Sequence, residues 1–112
     1  MPGIFSVYDN AAGFHMPFFE SENESTARRS FIQLLMKEDH PFSQFPENFT
    51  LWHVCNIDKD KGEVLPFKNG KTKIADGAYE MQRLEDKARE NVEAARVAFL
   101  NTAADSEKAN AS

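Results

Sequence analysis

The sequence predicts an α+β fold: a small antiparallel four-stranded sheet in ββαββ order with one packed helix, followed by a long C-terminal helix. Two observations carry this. Residues 4–16 and 50–67 alternate apolar and polar side chains around turn residues, the period of half-buried strands. Residues 21–38 and 78–104 repeat apolar side chains every three or four positions, the period of helices. An antiparallel sheet with a helix on one face is the simplest way to bury both patterns.

The first strand is Ile4-Phe5-Ser6-Val7-Tyr8-Asp9, with Phe5 and Val7 on one face and Ile4, Ser6 and Tyr8 on the other. Asn10-Ala11-Ala12-Gly13 reads as a hairpin turn, and Gly13 is suited to a positive φ. The return strand Phe14-His15-Met16 stops at Pro17, which has no N–H to give a ladder and so marks an edge. Ser21 followed by Glu24 has capping-box spacing, and Glu22 adds negative charge to the first turn of a helix. Ala27, Phe31, Leu34 and Leu35 form its buried stripe, and it should end near Glu38, ahead of His40-Pro41. Residues 40–49 read as an irregular loop pinned by Phe42, Phe45 and Phe49. Thr50 to Ile57 is the third strand, with Trp52, Val54 and Asn56 on one face and Leu51, His53, Cys55 and Ile57 on the other. A turn at Asp58–Gly62 leads to the fourth strand, Glu63–Phe67, an edge because of Pro66.

The basic connection Lys68–Gly77 divides the chain into a ββαββ body, residues 1–75, and a helix over 76–104 with Asp76 as its cap. The tail 105–112 is small and polar and is expected to be disordered. Met81, Leu84, Ala88, Val92, Ala95 and Phe99 trace a thin apolar seam along the helix and are its candidate oligomerisation residues. So Ala-rich a face buries little area per turn, which favours a packed, dimeric or partner-bound helix.

The formal net charge is −5. Residues 1–75 hold 8 Lys/Arg against 10 Asp/Glu, and residues 76–112 hold 5 against 8. That balance argues against purely electrostatic attachment to nucleic acid or anionic lipid, but it allows a local basic patch. The single cysteine, Cys55, excludes an internal disulfide framework. With neither a signal-peptide pattern nor a membrane-spanning apolar run, the chain is expected to work inside the cell that makes it, with no membrane partner.

No catalytic motif is visible, and the expectation is a protein that is not an enzyme and carries no cofactor. His53 and Cys55 could supply two metal ligands where a structural zinc needs four, so no metal is expected. Asp58, Asp60 and Gly62 echo a calcium loop, but the twelfth position is Asn69 where such a loop needs Glu. Two features suit nucleic acid. Lys68, Lys71 and Lys73 fall within six residues without an intervening acid, and Arg28 and Arg29 could extend them as phosphate contacts. Tyr8, Phe14 and Trp52 sit on strands whose second sheet face must be covered by the C-terminal helix, another subunit or bases, and they are the candidates to stack bases there. The plainer alternatives are a solubilising turn and rings that belong to the core.

The opening Phe5-x-Val7-Tyr8-Asp9, Met16-Pro17-Phe18-Phe19, the helix Glu24–Leu35, Pro41-Phe42-x-x-x-Pro46-Glu47-x-Phe49-Thr50-Leu51 and the Asp58–Gly62 turn with Glu63 together resemble the small non-structural protein of gokushoviruses. These are microviruses, small phages with circular single-stranded DNA. The resemblance covers roughly residues 4–67. It implies a DNA-binding or replication-associated role in genome replication and packaging, in the host cytoplasm, with single-stranded DNA, a replication initiator or a procapsid as partner. It implies no active site. The rival expectation is an adaptor that acts through the C-terminal helix without touching DNA.

Overall fold

The computed structural model describes residues 2–111, and side chains over residues 2–102. The chain forms a mixed α+β fold: an antiparallel sheet of six strands, two short helices and one long helix. In chain order the elements are β1 (Gly3–Asp9), β2 (Phe14–His15), β3 (Phe19–Ser21), α1 (Glu24–Leu35), α2 (Pro41–Gln44), β4 (Phe49–Asp58), β5 (Glu63–Pro66), β6 (Thr72–Asp76) and α3 (Gly77–Ala111). Residues 1–81 form one compact unit and residues 82–112 another. The expected tail 105–112 lies outside the residues whose side chains are described.

β1 and β4 are the central pair, and each outer edge is a strand broken in two. β2 pairs with the Tyr8–Asp9 end of β1, and β3 with the Gly3–Phe5 end. β5 pairs with Cys55–Asp58 of β4, and β6 with Thr50–His53. The four expected strands thus become six segments, because each edge breaks where its backbone cannot continue a ladder. Pro17 interrupts one edge. On the other, the chain turns after Pro66 through Gly70, whose φ is 81°. Residues 72–76, expected as loop, form the second half of that edge.

The first turn follows expectation. Gly13 takes a φ of 80°, its N–H donates to Asp9 O at 2.8 Å, and Asp9 Oδ1 accepts from the N–H groups of Ala11 and Ala12. The start of α1 does not. Ser21 ends β3, and Asn23 is the cap, its Oδ1 accepting from the Thr26 N–H at 2.8 Å. The helix stops at Leu35, a turn earlier than expected, and residues 41–44 form α2 with His40 Nδ1 accepting from the Phe42 N–H.

α1 lays Ala27, Phe31 and Leu35 on one sheet face, against Phe5, Val7, Leu51 and Ala75. Phe42 joins them, its ring centroid 5.5 Å from that of Phe31 and 4.5 Å from that of Phe49. Each such ring removed from water stabilises the fold by roughly 1.5–3 kcal/mol. Phe45, expected to pin the loop, stays 53% exposed.

β4 carries a bulge that the alternation did not predict. Ile4 pairs with Cys55 and Phe5 with His53, which leaves Val54 as the extra residue. One inserted residue turns everything after it over. His53 therefore shares its side with Asn56, and Cys55 sits beside Ile4 instead of beside His53. The His53 ring is buried, stacked on Phe5 at 4.3 Å; Nδ1 donates to Glu24 Oε1 at 2.8 Å and Nε2 lies 2.9 Å from Asn56 Oδ1. Gly3 passes so close to His53 Nε2 that a Cβ there would collide with it.

The start of α3 is tied to α1. Arg28 Nε and Nη2 both donate to Glu80 Oε1, at 2.9 and 2.7 Å, and Glu80 is only 4% exposed. Losing one partner of such a pair is asymmetric, since the buried carboxylate suffers more than a guanidinium that can reach water. Arg28→Met should lower stability by about 2 kcal/mol and Glu80→Gln by about 1 kcal/mol. Urea denaturation of the two variants checks the order.

Candidate nucleic-acid interface

The sheet face turned away from α1 holds the candidate site. Alternation along β1 brings Ile4, Ser6 and Tyr8 to this side. The register adds their neighbours: His15 stands opposite Tyr8, Trp52 opposite Ser6, and Lys73 opposite Trp52. The His15 ring lies 4.9 Å from Tyr8, 6.4 Å from Trp52 and 6.2 Å from Phe18. Trp52 Nε1 donates to Thr50 Oγ1 at 2.9 Å, which fixes the indole on the sheet.

Lys71, in the turn ahead of β6, reaches across this cluster. Its Nζ sits 4.7 Å from the centre of the Trp52 ring and 5.6 Å from that of Tyr8. Such contacts contribute ~0.5–1 kcal/mol at exposed positions. The same ammonium lies 2.8 Å from His15 Nε2. An ammonium can only donate, so Nε2 accepts and the ring proton is on Nδ1. From there the chain of donors runs on: His15 Nδ1 to Ser6 Oγ at 3.1 Å, and Ser6 Oγ to Met16 O at 2.9 Å. Burial, and then the Lys71 charge, hold His15 below the ordinary histidine value of 6.5. With the folded value depressed, this group's contribution to stability is complete above pH 6.5 and fades as pH falls through the folded value.

The expected site residues separate into layers. Lys71, Lys73, Tyr8 and Trp52 come together on the open face. Lys68 is exposed in the turn between β5 and β6. Arg28 and Arg29 belong to α1, across the sheet, so they do not extend the lysine patch. Arg28 is moreover held by Glu80. Arg29 lines a shallow groove with Ile32, Met36 and Ile74. Phe14 is 60% exposed but stands opposite Asp9, one step out of phase with His15, and so faces the wrong side for stacking with Trp52. Phe18, 61% exposed and edge-on to His15, takes its place.

His15 is the residue that sequence reasoning missed, reading it only as part of the return strand. The signal was present: in a hairpin closed by Asp9 and Phe14, the next pair is Tyr8 and His15. Among the described residues no group of three His, Cys, Asp or Glu is placed to hold a metal ion. The face offers stacking surfaces and cations.

On α3, Met81 and Leu84 are half-buried, while Ala88, Val92, Ala95 and Phe99 are exposed, Val92 by 69% and Phe99 by 72%. No helix among the described residues is long and apolar enough to cross a membrane.

Residues 3–79 match the family model described as Phage ORF5 protein. No curated protein and no solved structure matches the chain.

Proposed function

The chain belongs to the Phage ORF5 protein family, and from that membership we propose that it is a non-catalytic accessory protein of a small single-stranded DNA phage of the gokushovirus kind. It binds single-stranded DNA, or the replication complex that carries it, in the host cytoplasm during genome replication and packaging. The observation that carries this reading is Lys71 poised over two aromatic rings on an open sheet face, with Lys73 in the adjacent strand. Rings on a sheet accept bases of any sequence, and lysines beside them follow the phosphate backbone. Duplex DNA hides its base faces and gains only the charge. The net charge of −5 weakens long-range attraction, so affinity must come from this face and not from the whole surface.

Fluorescence anisotropy of a labelled single strand of about 30 nucleotides tests the proposal. Saturable binding that duplex competes for poorly, and that weakens with salt by a log–log slope near about −2, is expected for three lysines on a single strand. No binding at tens of micromolar protein would remove DNA from the reading.

A second reading rests on the exposed apolar residues of α3. Val92, Phe99 and Leu100 are each more than half exposed. In that case the protein is an adaptor, as a homodimer or docked on a replication initiator or procapsid, and α3 carries the contact.

A further inference from the structure

The position Lys71 occupies is the position a base would need. Its ammonium lies over the faces of both Trp52 and Tyr8, so the platform is covered in the free protein. What keeps it there is His15, whose unprotonated Nε2 accepts from Lys71 Nζ at 2.8 Å. The His15 tautomer is fixed from behind by Ser6 and the Met16 carbonyl, so the ring has one orientation in which to hold the lysine. Among the described groups facing His15, Tyr8 from β1 and Lys71 from the turn before β6 are titratable. Ser6, Phe18 and Trp52 complete its surroundings and carry no charge.

We propose that Lys71 is a displaceable cover on a base-stacking platform, latched by neutral His15 and released when His15 takes up a proton. The inference rests on the single-stranded DNA reading above for the identity of the incoming ring, but not for the latch itself. Protonation puts an N–H on Nε2, which removes the acceptor and sets two cations side by side. Lys71 then swings out on its four-carbon stem, still tethered within reach of a phosphate, and the ring faces open to a base. His15 acts here as a positioning residue, setting where Lys71 sits. Binding a base by the same exchange raises the proton affinity of His15, because the two events are linked and each promotes the other.

Proton NMR of the full chain, without DNA, reads the latch directly. The Lys71 methylenes next to Nζ should resonate upfield under the Trp52 and Tyr8 ring currents near neutral pH. They should return to ordinary lysine positions with the same midpoint as the His15 ring. In His15→Gln the pH step should vanish, and in Lys71→Met the His15 midpoint should rise toward 6.5, the ordinary value. Lys71 methylenes that stay upfield after His15 has titrated would overturn the proposal.

The second arm is affinity for a thymidine homopolymer at about pH 7.5 and at a pH below the His15 midpoint read by NMR, with circular dichroism confirming that the fold persists at both. Native protein should gain at least about threefold more from acidification than His15→Gln, which subtracts the general loss of negative charge. Equal gains would overturn the exchange of lysine for base. An intact NMR latch with no DNA binding at either pH would refute the single-stranded DNA reading and leave the latch standing.

Discussion

Gly77→Ala should lower the stability of the sheet-and-helix unit by about 3 kcal/mol, a large share of the total for a domain of this size. Gly77 is the residue on which β6 gives way to α3, and it is buried. A Cβ there would collide with the carbonyl oxygen of Pro46 and lie 2.9 Å from that of Phe49. Both obstacles are backbone, and neither segment can retreat cheaply. The Asn48 carbonyl accepts from the Asn10 N–H at 2.8 Å, and Phe49 begins the central strand β4 with its ring in the core. Relief would have to move α3, which would pull Glu80 from Arg28. The neighbouring Ala78→Gly, exposed and next along the same helix, is the control. It carries only the helix-propensity cost of about 1 kcal/mol. A fall in urea midpoint at unchanged m is the readout, and equal effects of the two variants would contradict the packing argument.

The second large effect is on binding. Reversing Lys68, Lys71 and Lys73 to Glu should weaken single-stranded DNA binding at least about 100-fold at moderate salt and flatten its salt dependence. Trp52→Ala should lose about 1–3 kcal/mol by removing one stacking surface, with the salt slope kept. Arg29→Glu makes the same charge change as one of the lysine reversals, but on the helix side of the sheet. It should cost less than about threefold, through overall charge alone. These three variants separate a face from a diffuse field. If Arg29→Glu hurt as much as Lys71→Glu, the open sheet face would not be the interface. If truncation of α3 abolished binding while the lysine reversals spared it, the adaptor reading would replace this one.

The fold class was legible because period alone distinguishes strand from helix, and both periods are clear here. The buried stripe Ala27, Phe31 and Leu35 and the Phe5–Val7 side of β1 follow directly from it. What period cannot show is a change of phase. The extra residue at Val54 turns Asn56 toward His53 and takes Cys55 away from it, a shift that no alternation within β4 announces. Pairing partners are equally silent in the sequence. Residues 72–76 look like a basic connection because Lys71 and Lys73 are polar, yet an edge strand facing water tolerates such residues. Ser21 and Asn23 both satisfy the chemistry of a cap, and β3 takes Ser21 for its ladder with Gly3.

The candidate site was half legible for the same reason. Tyr8 and Trp52 are in phase on adjacent strands, Lys73 is in phase with them at the edge, and Lys71 reaches over them from the turn, so they converge. Phe14 stands one residue of register away from that cluster. Arg28 lies apart from it because its partner, Glu80, is fifty-two positions away and only the fold brings the two together. His15 was overlooked because its role depends on Lys71, which is equally remote in sequence.

The most direct test of the central claim uses the protein's single tryptophan. Trp52 emission should be followed while a thymidine homopolymer of about 30 nucleotides is titrated in. Saturable quenching is expected that tracks binding measured by anisotropy, persists in Arg29→Glu and is lost in the triple lysine reversal. DNA binding that leaves Trp52 emission unchanged would place the contact elsewhere on the molecule and rule out the open sheet face as the interface.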